Sequence, residues 1–91
     1  MQSLNSYKYI TTGATTTFAG NETNRVVLGA INVNKALTGA LSIQTGSTVI
    51  GVLAAATPVG EYWYSSNGTE IESLTIVNAS TEDVTVLYRK I

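Results

Sequence analysis

The residues able to do chemistry in this chain are few. The six carboxylates are Glu22, Glu61, Glu70, Glu72, Glu82 and Asp83. Glu70 and Glu72 stand two apart, so a strand would present both on one face, the minimal arrangement for a general acid and base. Such a pair needs environments that push the two pKa values apart. Nothing around these two supplies one, and the expected state is two solvated side chains beside a hairpin. Glu82 and Asp83 are expected in a solvated turn, without the dense series of oxygen ligands of a dedicated calcium loop. With no His and no Cys, imidazole bases, catalytic triads, thiol nucleophiles and disulfides are excluded. No catalytic, cofactor or metal residue is therefore assigned.

The remaining chemical feature is aromatic: Tyr62, Trp63 and Tyr64 in succession. Trp and Tyr combine a flat apolar surface with a polar tip, which suits protein contacts or sugar stacking. Alternation along a strand places Trp63 on one side and Tyr62 and Tyr64 on the other. The reading adopted has the two tyrosines toward a core and Trp63 outward or at a subunit contact.

The elements that would position these residues are β-strands. Thr, Val and Ile, the β-branched residues that favour strands, make up about a third of the 91 residues. Strands are expected at residues 7–12, 16–18, 25–33, 40–45, 48–55, 61–65, 71–77 and 84–89. Gly46-Ser47 and Asn67-Gly68 read as tight hairpin turns, and the segment around Pro58 as a longer one. Residues 25–33 form the longest apolar run, as expected of a strand covered on both faces, with Gly29 marking a bulge or a close backbone approach. In the closing segment Leu74, Ile76, Val84, Val86 and Tyr88 alternate toward a core and leave Val77 and Leu87 outside. Residues 1–6 read as a mobile lead-in or one that grips a neighbour. About eight short strands at this spacing predict one all-β domain spanning residues 1–91, a small antiparallel sandwich.

Only 12% of the residues are charged, against 44% hydrophobic, about half the usual charged share of roughly 25%. So small and charge-poor a domain is expected to cover part of its surface by association. The outward apolar residues Trp63, Leu87 and Val77, with Leu28 and Arg89, are the candidate subunit or partner interface, and the second apolar face of residues 25–33 is expected to be covered by another molecule rather than by a loop of the same chain. The net charge of −1, with five scattered cations, argues against nucleic acid as a partner. No 18-residue apolar run is present, so no membrane-spanning helix is expected, and the opening residues lack the basic-then-apolar pattern of a secretory signal. Sequons at Asn21, Asn67 and Asn78 are expected by chance in a chain rich in Asn, Thr and Ser, and no glycosylation is inferred from them.

Three stretches carry a resemblance. Leu28, Ile31, Val33 and Asn34 match an L-x-x-I-x-V-N opening. Leu74 to Val77 match an apolar strand, and Asp83 to Tyr88 match a D-V-T-V-x-Y close. Over residues 25–90 the chain resembles the small jelly-roll-like β-sandwich proteins that decorate or cement the capsids of tailed bacteriophages. Ser73, where that family commonly has glycine, and Gln44-Thr45-Gly46, in place of an aromatic-acid turn, depart from the pattern. The resemblance implies a virion structural protein on the capsid surface, assembled as a homotrimer, with the major capsid protein as partner and neither cofactor nor catalysis. Related modules of tails and fibres touch surface sugars, which keeps a carbohydrate- or receptor-binding module as the alternative.

Overall fold

Strand pairing in the computed structural model, which describes residues 6–11, 13, 15–20, 24–63 and 69–91, divides the chain between two antiparallel sheets. Among the described residues nine strands occur in order: β1 (Ser6–Ile10), β2 (Thr15–Thr17), β3 (Arg25–Val33), β4 (Leu41–Thr45), β5 (Thr48–Leu53), β6 (Gly60–Trp63), β7 (Thr69–Glu72), β8 (Leu74–Asn78) and β9 (Val84–Lys90). One sheet runs β1-β9-β3-β6, with β7 also paired to β3, and the other runs β2-β8-β4-β5. β6 and β7 lie end to end along the same side of β3, Trp63 opposite Ala30 and Thr69 opposite Leu28. Counted as one interrupted strand they leave eight, in the orders 1-8-3-6 and 2-7-4-5. That interleaving of two Greek keys is a jelly roll, so the molecule is the small antiparallel β-sandwich expected from its strand pattern.

The inner faces make one core. Val26, Leu28, Ile31 and Val33 of β3 meet Leu41 and Ile43 of β4, Leu74 and Ile76 of β8, and Val84, Val86 and Tyr88 of β9. Phe18 closes one end with its ring edge-on to Tyr88, centroids 5.0 Å apart. Leu37 plugs the other end.

Three features depart from strict alternation. Gly29 is a bulge: Leu28 pairs with Tyr88 and Ala30 with Leu87, which leaves Gly29 over. The extra residue reverses the parity of β3. Val26 and Leu28 point inward before it, and Ile31 and Val33 after it. Leu28 is therefore wholly buried and takes no part in a subunit contact, contrary to its place among the interface candidates. Val27 and Ala30, on the opposite face, are also buried within the single chain. Ala30 is small and flanked in register by Leu87 and Trp63. The second face of β3 is thus covered by its own chain rather than by another molecule as expected.

Second, residues 71–77 are not one strand. Ser73 adopts φ 53°, and the turn it makes sends β7 into one sheet and β8 into the other. Its N–H donates to the Asn24 carbonyl and its own carbonyl accepts from Gly46 N–H, at 2.7 and 2.9 Å. Third, β8 and β9 lie in different sheets, so the polar segment between them is a crossover. The Gly46-Ser47 hairpin forms as read, with Gly46 at φ 61°. Tyr64 and the Asn67-Gly68 turn lie outside the described residues, as do residues 1–5 and Glu22.

Ser73 and Ala56 (φ 68°) both occupy the left-handed region, which costs a residue with a Cβ about 1 kcal/mol. Replacing Ser73 by Gly removes that penalty while adding freedom to the unfolded chain, so Ser73→Gly is expected to leave stability unchanged or raise it by up to about 1 kcal/mol. Ser73→Val, β-branched at the same φ, is expected to lower it by about 1–2 kcal/mol. Urea denaturation of the three proteins measures both differences.

Candidate functional site

Because directly paired residues share a face, the registers show which side chains line the surface. The outer face of the β1-β9-β3-β6 sheet carries a row Tyr7–Leu87–Ala30–Trp63 and beside it a row Tyr9–Thr85–Asn32–Glu61. Tyr7, Tyr9 and Trp63 are 72%, 58% and 49% exposed. The aromatic side chains thus stand at the two edges of the sheet, with the small or half-buried residues between them. Trp63 is held in place, its Nε1 donating to Glu61 Oε1 at 2.6 Å. Tyr62 points the other way, packs against the core, and donates from its hydroxyl to the Pro58 carbonyl at 2.7 Å. Arg89 shares the outer face with Leu87, whereas Val77 faces outward from the other sheet, between Thr15 and Ser42. The outward interface candidates are therefore split: Trp63, Leu87 and Arg89 on one face, Val77 on the opposite one.

The seam between β5 and β6, where an edge of each sheet has no strand partner among the described residues, opens as a groove of about 410 Å³. Ile31, Ile43, Leu53 and Tyr62 contribute its apolar wall, and Val52, Trp63 and Glu61 stand at its mouth. Val49, Ile50 and Val52 of β5 are exposed, as is Val59 in the connector to β6. This apolar side was only partly legible. The sequence pointed to Trp63, but 48–55 read as an apolar strand with no sign that it would be an edge. The bulge between Ile43 and Gln44 displaces Ile50 from the ladder as well.

The acidic candidates do not converge. Glu70 and Glu72 both pair with Arg25, at 3.0 and 3.4 Å, on an exposed surface, where such bridges add little to stability. Glu82 differs from its expected solvated turn. It is only 4% exposed, and its carboxylate accepts three hydrogen bonds: Thr38 N–H at 3.0 Å, Thr38 Oγ1 at 3.1 Å and Gly39 N–H at 2.8 Å. Burial alone would push its pKa up; the three donors outweigh that and hold it below the ordinary 4.5. Beside it Asp83 accepts from Asn34 Nδ2 at 3.2 Å and from the Tyr9 hydroxyl, which, with some burial and the carboxylate's charge, raises the Tyr9 pKa. Thr38, Glu82 and Asp83 line a smaller recess of about 240 Å³ with Thr11, Lys35, Ala36 and Thr81. Among the described residues no group of three or more His, Cys, Asp or Glu is placed to hold a metal ion. Asn78 is buried in β8, which leaves its sequon inaccessible in the folded chain; Asn21 and Asn67 lie outside the described residues.

Comparison with protein-family models, with curated proteins and with solved structures returned no match.

The Glu82 cluster generates a stability prediction. Glu82→Gln places an amide that donates where the site needs acceptors at both oxygens, and is expected to cost about 1–3 kcal/mol. The native contribution is complete above the unfolded-state value near 4.5 and is lost as pH falls through the lower folded value. Urea titrations between pH 7 and pH 3 are expected to show wild type losing more stability on acidification than Glu82→Gln, so that the two curves converge.

Proposed function

We propose that this chain is a virion structural protein: a jelly-roll module that associates with copies of itself, as a trimer, and decorates or cements a bacteriophage capsid. The observation that carries the reading is the exposed apolar surface of a charge-poor domain. Tyr7, Tyr9, Val49, Val52, Val59 and Trp63 are each about half exposed or more, while 12% of the chain is charged. Apolar surface of this kind marks sites of association. The jelly-roll strand order adds support by analogy, since viral capsid domains use it, but lectins and cupins share it and fold alone assigns no function. The motif residues of the resemblance sit in the structural framework. Leu28, Ile31, Val33, Leu74, Ile76, Val84, Val86 and Tyr88 are core, and Asn34 and Asp83 bond to each other between connectors. They bear on the fold more than on a partner.

A second reading rests on Trp63, a half-exposed indole fixed by Glu61 at the mouth of an apolar groove. An aromatic plane with an adjacent carboxylate acceptor suits a sugar ring. A glycan array separates the two readings: a signal that Trp63→Ala abolishes would favour a carbohydrate-binding module of a tail or fibre.

For the leading reading, light scattering at micromolar concentration is expected to give three times the 9.6 kDa chain mass. The purified protein is expected to co-sediment with capsids of its virus prepared without it and to raise their melting temperature. A clean monomer that leaves such capsids unchanged would overturn the proposal.

A further inference from the structure

The two edges of the β1-β9-β3-β6 sheet carry exposed aromatic residues and opposite charges. At one end is β1, an edge strand whose Tyr7 and Tyr9 project from the outer face. Lys8 lies between them, in register with Val86 and so turned toward the inner side, yet exposed. At the other end, three strand spacings or about 14 Å away, is the recess of about 410 Å³ between β5 and β6, with Trp63 and Glu61 at its mouth. One end projects two aromatic side chains from its outer face and a cation from its inner side. The other offers an apolar hollow with a carboxylate at its rim. Lys8 is the charged residue of β1, Glu61 is the charged residue of β6, and β5 carries none. Neither Lys8 nor Glu61 is in an ion pair among the described residues.

We infer that each copy docks its β1 edge, through Tyr7, Lys8 and Tyr9, into the β5–β6 groove of a second copy of this chain. The inference rests on the proposed self-association and specifies its contact. Charge selects this arrangement over the alternatives. Two β1 edges paired about a two-fold axis would bring Lys8 against Lys8, and two grooves would bring Glu61 against Glu61; like charges juxtaposed in this way are unfavourable. An inward-turned lysine is also a device that blocks indiscriminate pairing at a sheet edge, so the edge accepts only a partner that offers a carboxylate there. Because the two surfaces differ and lie at opposite ends of the sheet, the contact is head to tail and closes into a ring when the rotation permits. The same contact covers Trp63, Val52 and the aromatic pair on β1.

Charge reversal in the full chain tests the contact. Sedimentation velocity is expected to show a closed species of three or more copies for wild type. Lys8→Glu and Glu61→Lys, each at an exposed position, are expected to weaken association at least tenfold. Both reversals in one chain are expected to restore it to within a few-fold of wild type. Trp63 is the one tryptophan of the chain, so its emission is expected to shift to the blue as concentration rises for wild type and the double reversal, and to stay put for each single reversal at the same concentrations. Circular dichroism reads the fold of each variant independently. A monomeric wild type would defeat the self-association reading itself. A wild-type oligomer that ignores either single reversal, fails to be rescued by the double, or stops at two copies would overturn this contact while leaving self-association standing.

Discussion

The arrangement depends most on how one connector, residues 34–40, is tied to its neighbours. It carries the chain from β3 in one sheet to β4 in the other, and it lies at the end of the sandwich where β1–β2, β5–β6 and β8–β9 also cross. Leu37 exchanges backbone hydrogen bonds with the β5–β6 connector, its N–H donating to Thr57 and its carbonyl accepting from Ala56. On the other side the connector meets the β8–β9 crossover three times: Asn34 N–H to the Asp83 carbonyl, Thr38 and Gly39 to the Glu82 carboxylate, and the Ala40 carbonyl from Ala79 N–H. Crossovers between sheets leave backbone groups that no ladder satisfies, and buried groups of that kind are costly when unpaired. Glu82 is the side chain that supplies acceptors where no carbonyl reaches. The approach is close as well. A Cβ on Gly39 would come within 2.8 Å of Ser80 Oγ, and one on Gly13 within 2.9 Å of the Ser80 backbone carbon, so glycine is what lets the β8–β9 crossover pass between two other segments.

The strands and the core were legible because both follow from alternation, which is local. Val84, Val86 and Tyr88, like Leu74 and Ile76, can face only one way along an extended chain. The Gly46-Ser47 hairpin was legible for a related reason, since a two-residue turn carries its conformation in its own residues. What escaped were the places where a single residue changes the direction of everything after it. At Gly29 the possibility of a bulge could be read, but not the reversal of parity that buries Leu28 and exposes no second face. At Ser73 an unremarkable residue in left-handed conformation turns one apparent strand into two strands of different sheets. Serine gives no sign of this; a glycine at that position would have. The burial of Glu82 was illegible because its partners Thr38 and Gly39 are more than forty residues away in sequence.

The aromatic surface was half legible for the same reason. Trp63 could be set opposite Tyr62 from alternation. That Tyr7 lies in the same row, across Leu87 and Ala30, depends on β1 joining β9 and β9 joining β3, pairings between the two ends of the chain. Candidate interface residues chosen from sequence were outward apolar residues on any strand, and so fell on both faces of the sandwich. Topology collects them differently, into two edges and a groove.

A sandwich of two open sheets leaves four edges, and each must be shielded from unwanted pairing. In this chain the edges are treated unequally. β7 carries Glu70 and Glu72, tied to Arg25. β2 is three residues long and all threonine. β1 turns a lysine inward. β5 alone has six residues, no charge, and exposed valines and isoleucine. Short or charged edges are what a free sheet presents to water, whereas a longer uncharged one next to an open groove invites an occupant. Core stability does not account for that contrast, because the residues concerned lie outside the packed interior. The unshielded edge and the groove beside it are the surface on which the proposed association rests.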